Sequence, residues 1–583
     1  MVTKNNSPMS NTNFEKLEQI RKFVKESKIF VNEDLVTFSN VPDAGIGLFA
    51  KEDIAEDSII VKIPKTAIFT SKNCTINNLL DDKSIDGIMG IHLAVIYELF
   101  VLKAEKSHWF DYLSFIFDDV LKHNSSTKDL YLPPGYWSEK EKEYLKGTLM
   151  DVQYQGLKTH TDMLTVYVDF VRFANEWKKD CDLDIPEILQ NEYIAGLSES
   201  EELDLVEVEK HLLSVNNNFL RFIEIGYVIS SRVFEIDCYH LFGLVCIVDL
   251  FNHNYSEDIH FENEYEVCEI CGKTECAHLY MSDSASEDEN IDPSDEAFDE
   301  EQNENIESEE EEEKEEEIQD HEHAADSDDE CEIRAIHDIE KGKEIYNTYG
   351  QFPNAALLLK YGFVIPNNPH DKVALGEEFE EVVQELVNLD ETDLQERVNW
   401  WKHEGVALLE EELDAIEEMQ AMADHEHGSD CDHSDDEEED DGEEEDEEQD
   451  EDDDDEDEDN EEDEEDEEEI DVETYWKDQI YLDASGEASP YLERLCVILS
   501  MSKEQFNTEH LQLDPEKLED VKSPEIKPVL SLALKLLKKT VSKKKLFKIP
   551  EESENLPNFA EIKNILLIEN DIILRANDNF RLE

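Results

Sequence analysis

The sequence predicts an α+β fold, in which a helical block interrupts a small β-rich unit and a mostly helical C-terminal domain follows. Three observations predict it. Short β-rich segments between turn residues fill residues 33–69, helical periodicity dominates residues 75–235, and the β signal returns at Leu244 and around residues 344–365. Beyond residue 370 the pattern is helical again. We therefore expect one interrupted β-rich domain over residues 20–365 and a helical domain over residues 366–583.

Apolar spacing places the individual elements. Residues 1–19 are a polar segment, although a short amphipathic helix begins within it, with Leu17, Ile20 and Phe23 near helical spacing. The stretches "MLTVYVDFVRFANEW" and "FLRFIEIGYVISSRVF" predict the clearest helices of the insertion over residues 75–235. The apolar run "LVCIVDLF", residues 244–251, predicts a buried strand, with Asn252 and His253 at its end.

The charge of the chain is unevenly distributed. Of 583 residues with a formal net charge of -102, residues 281–330 hold 26 Asp and Glu against one Lys, and residues 424–470 hold 36 against none. The other 486 residues carry -41 and have a globular composition. Both tracts lack the apolar residues that offset ordering entropy, so we interpret them as solvated insertions. The first belongs to an acidic and Cys-rich insertion at about 262–330, and the second interrupts the C-terminal domain.

Composition also restricts the partners. Clustered carboxylates attract Lys- and Arg-rich surfaces and repel phosphate, which favours a basic protein partner over nucleic acid as the direct ligand. We find no uninterrupted apolar run of about 18 residues and no apolar core of a secretory signal near residue 1. Ten cysteines, most of them scattered, agree with a reducing compartment. We expect a monomer in the cytoplasm, with the nucleus as a second compartment, and no membrane contact.

Several polar residues stand where a ligand could bind. Asn252 and His253 follow a buried run and need partners, and ligands often bind at strand ends. Arg232 ends an apolar helix pattern, where an arginine is usually paired or extends to solvent. Gly45 and Gly47 suit a close backbone approach to a ligand, but an ordinary tight turn explains the same stretch. No third glycine opens a helix here, so the dinucleotide-binding fingerprint is excluded.

Five short motifs occur in a family's order: "GIGLFA", "SRVF", "DLFNH", "EIYNTYG" and "LLLKYGF". Together they resemble the SET-domain protein-lysine methyltransferases, in the branch that includes plant Rubisco methyltransferases and fungal ribosomal-protein lysine methyltransferases. The likeness covers roughly residues 20–365. It implies a small SET fold in which the segment at Asn252-His253 and the tyrosine segment form a knot-like crossing. About 95 residues separate His253 from Tyr349, so that crossing has to accommodate a long insertion.

The resemblance implies a role for each residue that matches a family motif. Binding of S-adenosylmethionine is implied for a turn backbone, an arginine facing the cofactor carboxylate, an Asn-His pair and a tyrosine: Ala44, Gly45, Ile46, Arg232, Asn252, His253 and Tyr349. Asp249 and Tyr361 would help to form the lysine channel, and Tyr349 would be the catalytic tyrosine.

The implied activity is transfer of a methyl group to a lysine of a basic protein, and we expect a large-subunit ribosomal protein as the substrate. A lysine amine has an ordinary pKa of about 10.4, so a dry channel and a nearby sulfonium charge are needed to populate its nucleophilic neutral form. Two other readings stay open: a non-catalytic SET-fold binding protein or acidic chaperone for basic ribosomal or histone proteins, and a zinc-dependent interaction module. The presence of both Tyr349 and the Asn252-His253 pair favours the enzyme.

The stretch "CEICGKTECAH" is not part of the family's catalytic motifs. Its spacing, C-x2-C-x4-C-x-H, offers four soft ligands within eleven residues: Cys268, Cys271, Cys276 and His278. Such a set suits a tetrahedral zinc ion that acts as a structural clip. A single knuckle without a second ligand pair is also common by chance, so the metal-free alternative stays open.

Overall fold

A computed structural model describes residues 11–42, 44–122, 130–197, 204–274, 276, 278, 330–387, 393–427, 472–509 and 527–581. The two acidic tracts, which we interpret as solvated insertions, lie almost entirely outside these residues. The chain divides into two compact units. The first comprises Met1–Glu143, Gln155–Asn368 and Glu552–Glu561, and the second comprises Tyr144–Tyr154, Pro369–Glu551 and Ile562–Glu583.

Short strands build the β part of the first unit. In chain order they are β1 Phe30–Val31, β2 Val36–Val41, β3 Gly45–Ala50, β4 Ile59–Pro64, β5 Val233–Glu235, β6 Phe242–Leu244, β7 Asn252–His253, β8 Ile259–Glu262, β9 Glu330–Ala335 and β10 Tyr346–Asn347. Strands β1, β4, β9 and β8 form a four-stranded sheet in that order, and β2 pairs with β3, β5 with β6, and β7 with β10. Strands β4 and β9 pair from Ile59 to Pro64, with a shift in register between Ile59 and Val61, so segments more than 260 residues apart lie side by side in this sheet.

Helices fill the chain between β4 and β5. They are Asn77–Asp81, Gly87–Tyr97, Lys103–Lys106, Phe110–Ile116, Asp118–Lys122, Glu139–Leu145, Leu149–Val152, Thr161–Asp180, Glu192–Ala195, Leu205–Val215 and Asn218–Ser230. Thr161–Asp180 covers the first of the two stretches predicted as the clearest helices. Asn218–Ser230 covers the second only as far as Ser230, because Val233 and Phe234 belong to strand β5. In Thr161–Asp180 the buried residues include Leu164, Val168, Val171 and Ala174, which recur at helical spacing and so form one apolar face.

The N-terminal helix and the helix after β10 complete the first unit. The former spans Asn11–Glu26 and buries Leu17, Ile20 and Phe23, as the apolar spacing predicted. The latter spans Asn354–Tyr361 and ends at Gly362, whose φ of 75° caps the helix in the left-handed conformation.

One helical stretch is strongly apolar, although His92 and Glu98 interrupt its apolar run. Residues Gly87–Lys106 are continuous helix with a π-helical turn at Glu98–Leu102, and by length and composition this stretch could span a membrane, with a mean hydropathy of 1.6. Most of it, 61%, is buried inside the protein, with Ile91 and Leu93 to Tyr97 in the core of the first unit. Such a stretch is also what a core helix of a globular protein presents.

The second unit is mostly helical. Its β part is one antiparallel pair, β11 Val373–Ala374 with β12 Tyr481–Leu482. The helices after residue 370 are Gly376–Val387, Asp393–Trp400, Val406–His427, Val472–Asp478, Pro490–Ser500, Lys503–Glu509, Lys527–Lys543 and Phe559–Asn579. Their apolar faces meet in a separate core that includes Phe379, Trp401, Trp476 and Leu495.

The strand predicted at residues 244–251 is wrong in detail. Strand β6 ends at Leu244, whose partner is Val233 at the start of β5. The chain then turns at Ile247, which has a φ of 79°, and continues as a short 3-10 helix at Val248–Leu250. Apart from Asp249, residues 245–251 are apolar, and they are buried in the core without pairing as a strand. A buried segment of this kind gives the same sequence signal as a buried strand.

Candidate active site

A cavity of about 870 Å³ lies in the first unit. Its lining includes all nine residues to which the family resemblance assigned cofactor or lysine binding: Ala44, Gly45, Ile46, Arg232, Asp249, Asn252, His253, Tyr349 and Tyr361. The volume is within the range of about 300–1,000 Å³ typical of small-molecule sites. These residues come from four separate segments of the chain, so the fold brings together what the sequence keeps apart.

Two short parallel strands bring two of these segments together. Strand β7 pairs with β10 so that Asn252 lies opposite Tyr346 and His253 lies opposite Asn347. Beyond the pair, the amide of Asn254 donates to the oxygen of Asn347 at 3.0 Å. The expected crossing between the Asn-His segment and the tyrosine segment is therefore a hydrogen-bonded contact between residues more than 90 positions apart.

Tyr349 is held from both sides by the β7 segment. Its main-chain N–H donates to Nδ1 of His253 at 3.0 Å, and its hydroxyl donates to the main-chain oxygen of Phe251 at 2.9 Å. Burial raises the pKa of Tyr349 to about 12, although the charge of Arg232 opposes this change. The phenol is therefore neutral at physiological pH, and with its proton directed at Phe251 its oxygen lone pairs remain available to accept.

An aromatic cluster packs against the ring of Tyr349. Tyr361 donates from its hydroxyl to the main-chain oxygen of Tyr349 at 3.2 Å, and the two ring centroids are 4.8 Å apart. The ring of Phe363 lies 6.1 Å from Tyr349 and 6.2 Å from Tyr361. Tyr131 donates to the main-chain oxygen of Tyr361 at 3.0 Å and so fixes the far side of the cluster. Rings in this arrangement offer an apolar channel wall that can also face an alkylammonium group.

Arg232 and Asp249 form the charged wall. Asp249 lies in the 3-10 helix after β6, and Arg232 lies between the helix Asn218–Ser230 and β5. Nη1 of Arg232 donates to the main-chain oxygen of Asp249 at 3.0 Å and lies 3.6 Å from its carboxylate. Burial raises the pKa of Asp249 to about 6, and Arg232 and a hydrogen bond from Tyr112 at 3.4 Å work against that rise. The arginine is thus paired, one of the two alternatives for this position.

Asn252 is oriented by a glutamate. Its Nδ2 donates to Oε1 of Glu344 at 2.8 Å, and the hydroxyl of Tyr346 donates to Oε2 of the same carboxylate at 2.8 Å. With the amide nitrogen engaged, the amide oxygen of Asn252 is the group left to face a ligand donor.

The turn at Ala44–Ile46 also lines the cavity. The hairpin of β2 and β3 ends with Val41 opposite Gly45, and the amide of Ala44 donates to the oxygen of Val41 at 3.2 Å. Gly45 has a φ of 78°, a left-handed conformation that favours glycine, and the space where a side chain would begin is open. Backbone groups here can therefore approach a ligand without obstruction.

Residues of this site that sequence reasoning missed include Tyr112, Tyr131, Glu344 and Phe363. Glu344 and Phe363 belong to the motifs "EIYNTYG" and "LLLKYGF", so their position beside the assigned tyrosines was an available signal. Tyr112 comes from the helix Phe110–Ile116 inside the helical block, and no motif marks it.

The four predicted metal ligands lie together outside the cavity. The ligand atoms of Cys268, Cys271, Cys276 and His278 are all within 4.8 Å of one another. Within the part of the chain that the structure describes, no other group of three or more His, Cys, Asp or Glu residues has comparable geometry.

Sequence comparison relates this chain to known proteins. The SET domain profile matches residues 45–350. Ribosomal lysine N-methyltransferase 3 of Saccharomyces cerevisiae is 33% identical over 414 residues, which cover 69% of this chain and 70% of the yeast protein. The actin-histidine N-methyltransferase of Rhinolophus ferrumequinum is 42% identical over 48 residues, 8% of each chain. Among solved structures, the SET domain of LSMT bound to lysine and AdoHcy has a TM-score of 0.43 at 13% identity, over 97% of this chain and 91% of LSMT.

Proposed function

The chain belongs to the SET-domain family, and we propose that it methylates a lysine of a ribosomal protein. It is a protein-lysine methyltransferase that uses S-adenosylmethionine. The likeness to the yeast ribosomal enzyme over more than two thirds of both chains is the observation that supports the substrate class. A large-subunit ribosomal protein is our specific expectation, because such proteins are rich in Lys and Arg and this chain is strongly acidic.

The cavity fits the cofactor by its donor set. A nucleoside with an amino-acid tail needs backbone polar groups, an amide and a cation for its carboxylate, and the turn at Gly45, Asn252 and Arg232 supply these. One carboxylate oxygen of Asp249, Oδ1, is buried without a hydrogen-bond partner among the described residues. A buried acceptor of this kind is unfavourable unless a ligand donates to it. Arg232 and Asp249 are therefore the residues we expect to bind the charged groups of the bound molecules.

When bound, S-adenosylmethionine supplies an electrophilic methyl group on a positively charged sulfur. In this proposal Tyr349 is the catalytic residue, because its hydroxyl proton is held by Phe251 and its lone pairs can accept weak C–H···O contacts from the methyl group. A phenol with a raised pKa does not act as a base at neutral pH, so Tyr349 aligns the methyl group and does not deprotonate the lysine.

The lysine itself must arrive neutral. Tyr361, Phe363 and Tyr349 form a wall that excludes water from the amine, and desolvation lowers the pKa of a lysine. The amine would lose its proton to solvent before it enters this wall of rings, and after transfer of the methyl group the positive charge would be on the methylated nitrogen. His253 serves as a positioning residue in this scheme, because its Nδ1 holds the backbone of Tyr349.

Some finer expectations stay predictions. Chain length and the acidic insertions suggested a particular likeness to fungal ribosomal lysine N-methyltransferase 1, whereas the relative identified is the yeast methyltransferase 3. A monomeric state and a cytoplasmic location, with the nucleus as a second compartment, are part of the same proposal.

The decisive experiment uses the purified full-length chain with methyl-labelled S-adenosylmethionine. Ribosomal subunits from a Saccharomyces strain that lacks ribosomal lysine N-methyltransferase 3 serve as acceptor, and Tyr349→Phe serves as the matched inactive control. We expect label in a large-subunit protein, on a lysine identified by mass spectrometry, and little label with the control. Label confined to non-ribosomal proteins would refute the substrate class. Tight binding of ribosomal proteins without any transfer would instead support the acidic-chaperone alternative.

A further inference from the structure

The segment after β8 contains a convergent group of sulfur and nitrogen atoms. The Sγ atoms of Cys268 and Cys276 lie 3.8 Å and 3.7 Å from Nδ1 of His278, and Cys271 contributes the fourth ligand atom, all within 4.8 Å of one another. Cys268 is buried and Cys271 and Cys276 are partly buried. A single disulfide would leave one thiol over and would not explain why the imidazole nitrogen faces two sulfurs.

These separations match a tetrahedral metal site. With Zn–S bonds of about 2.3 Å and Zn–N bonds of about 2.0 Å, tetrahedral geometry separates the ligand atoms by roughly 3.5 to 3.8 Å. The two sulfur–nitrogen distances, 3.8 Å and 3.7 Å, lie within this range. The widest separation of two ligand atoms, at most 4.8 Å, would have to contract by about 1 Å when the ion binds. Zinc binds sets of three thiolates and one imidazole, whereas ions such as Mg²⁺ and Ca²⁺ prefer oxygen ligands.

The backbone is already folded to bring the ligands together. The amides of Cys271 and Gly272 both donate to the oxygen of Cys268, at 3.2 Å and 2.7 Å, and the amide of Cys268 donates to the oxygen of Lys273 at 3.0 Å. Gly272 has a φ of 69°, and a side chain there would begin 2.5 Å from the ring of Tyr239. Only glycine satisfies both the turn and this packing.

The turn is also fastened to the loop before β6. The amide of Cys238 donates to the oxygen of Tyr265 at 3.3 Å, and its thiol donates to the oxygen of Val267 at 3.2 Å. Lys65 donates to the oxygen of Glu264 at 2.8 Å and forms a buried ion pair with Asp237 at 2.7 Å. The chain that leads into the cysteine cluster is thus tied to the core of the first unit by several independent contacts.

We propose that Cys268, Cys271, Cys276 and His278 bind one structural zinc ion, which closes the turn directly before the acidic tract 281–330 and stabilises its packing on the loop at residues 237–240. Binding releases three thiol protons to solvent, and the neutral imidazole together with three thiolates leaves the complex with one negative charge. No oxidant or reductant takes part. None of the four residues lines the methyl-transfer cavity, so the ion holds the base of the insertion and does not enter the reaction.

The first test measures the metal content of the full-length protein, purified without chelators, by elemental mass spectrometry. We expect about one zinc per chain. Cys271→Ser should reduce this to below roughly 0.1 per chain, because loss of one of four ligands greatly weakens a structural site. Cys181→Ser is the matched control, since Cys181 is exposed and remote from the cluster, and it should retain the metal. Wild-type protein without zinc, or zinc retained in Cys271→Ser, would overturn the proposal.

A second test does not depend on the fold of a variant. Wild-type protein reconstituted with cobalt should show the charge-transfer absorption of thiolate ligands and the visible bands of tetrahedral cobalt. Removal of the metal with a strong chelator should increase amide hydrogen exchange at residues 264–274 at least about tenfold, because the clip no longer opposes local opening. Affinity for S-adenosylmethionine should change less than about twofold, since the site lies outside the cavity. Octahedral cobalt spectra, bound iron in place of zinc, or unchanged exchange would contradict a structural zinc clip.

Discussion

Nη1 of Arg232 donates to the main-chain oxygen of Asp249 at 3.0 Å and lies 3.6 Å from the carboxylate of the same residue. The side chain of Asp249 is only 1% exposed, whereas that of Arg232 is 35% exposed. A carboxylate taken out of water is destabilised in its charged form, and a nearby cation offsets this effect. Arg232 therefore offsets part of the free-energy cost of burying the charged carboxylate of Asp249 at the wall of the candidate active site.

We expect Arg232→Met to destabilise the protein in a pH-dependent manner. Because the pKa of Asp249 is about 6, its carboxylate is charged at pH 8 and mostly neutral at pH 5. Removal of the arginine should lower the free energy of unfolding by roughly 1–3 kcal/mol at pH 8 and by much less at pH 5. This loss is smaller than for a fully buried ion pair, because Arg232 is partly exposed to solvent. Urea unfolding at both pH values measures this. The double variant Arg232→Met/Asp249→Asn should recover most of the stability, and an equal loss at both pH values would contradict the role of the carboxylate.

Tyr349→Phe should reduce turnover while leaving cofactor affinity nearly unchanged. The substitution removes one hydroxyl, and with it the bond to Phe251 that orients the oxygen. Loss of one preorganised polar group at a reacting centre typically costs on the order of 10²-fold in kcat. Single-turnover kinetics and calorimetric titration with S-adenosylmethionine separate the two quantities. Tyr193→Phe removes a hydroxyl from a ring that packs on His211, and it should behave as wild type.

His253→Ala should weaken both cofactor binding and turnover. Nδ1 of His253 accepts from the amide of Tyr349, so its loss frees the backbone that carries the catalytic phenol. We expect a decrease of about tenfold in each quantity, equivalent to one lost hydrogen bond to a buried amide. His253→Asn offers an amide oxygen near the position of Nδ1 and should restore turnover in part. If the Asn and Ala variants are equally impaired, the hydrogen bond to Tyr349 is not what His253 contributes.

The buried carboxyl group of Glu569 should make the stability of the second unit depend on pH. Burial raises its pKa from 4.5 to about 8, although Oε1 accepts from the amide of Leu149 at 2.9 Å. The folded state thus holds a proton that the unfolded chain loses near pH 4.5, and stability should fall as pH rises from about 4.5 to about 8. The slope is at most about 1.4 kcal/mol per pH unit.

Glu569→Gln tests this assignment. The variant should match the wild type at pH 5 and be more stable at pH 8.5, because an amide carries no charge to bury. Thermal midpoints across this pH range are the measurement. Glu377→Gln, which replaces an exposed glutamate of the same unit, should leave the pH profile unchanged. Identical profiles for wild type and Glu569→Gln would show that the carboxyl is ionised throughout.

The acidic tract at residues 424–470 should affect substrate encounter and not chemistry. Replacing it with a neutral linker of equal length should raise KM for an intact basic protein at low salt, with kcat and cofactor affinity unchanged, because 36 carboxylates attract a basic surface. Added salt screens this attraction, with a Debye length of about 8 Å at physiological ionic strength. Steady-state kinetics at two salt concentrations give the answer. Equal KM values at both would favour the alternative that the tract is only a solvated spacer.

The sequence alone indicated residues that line the candidate active site. Gly45, Asn252 and Tyr349 each lie within a short sequence motif that can be recognised without the structure. A helix such as Thr161–Asp180 can be predicted from the apolar spacing of its own residues. The four candidate zinc ligands could also be identified from the sequence, because they lie within eleven residues of one another. A single turn of the chain is enough to bring their ligand atoms together. These are local properties, and local properties are what a single sequence displays.

Only the tertiary structure decided how distant segments meet. The pairing of Asn252 with Tyr346 depends on a register between strands more than 90 residues apart, and two-residue strands carry no pattern that specifies it. The contact of Tyr112 with Asp249 joins a helix of the insertion to the cavity wall, and no motif marks that helix. The apolar run that begins at Leu244 forms a turn and a 3-10 helix after its first residue. Its apolar residues indicate burial, but a strand also needs a pairing partner, and the sequence of the run does not specify one.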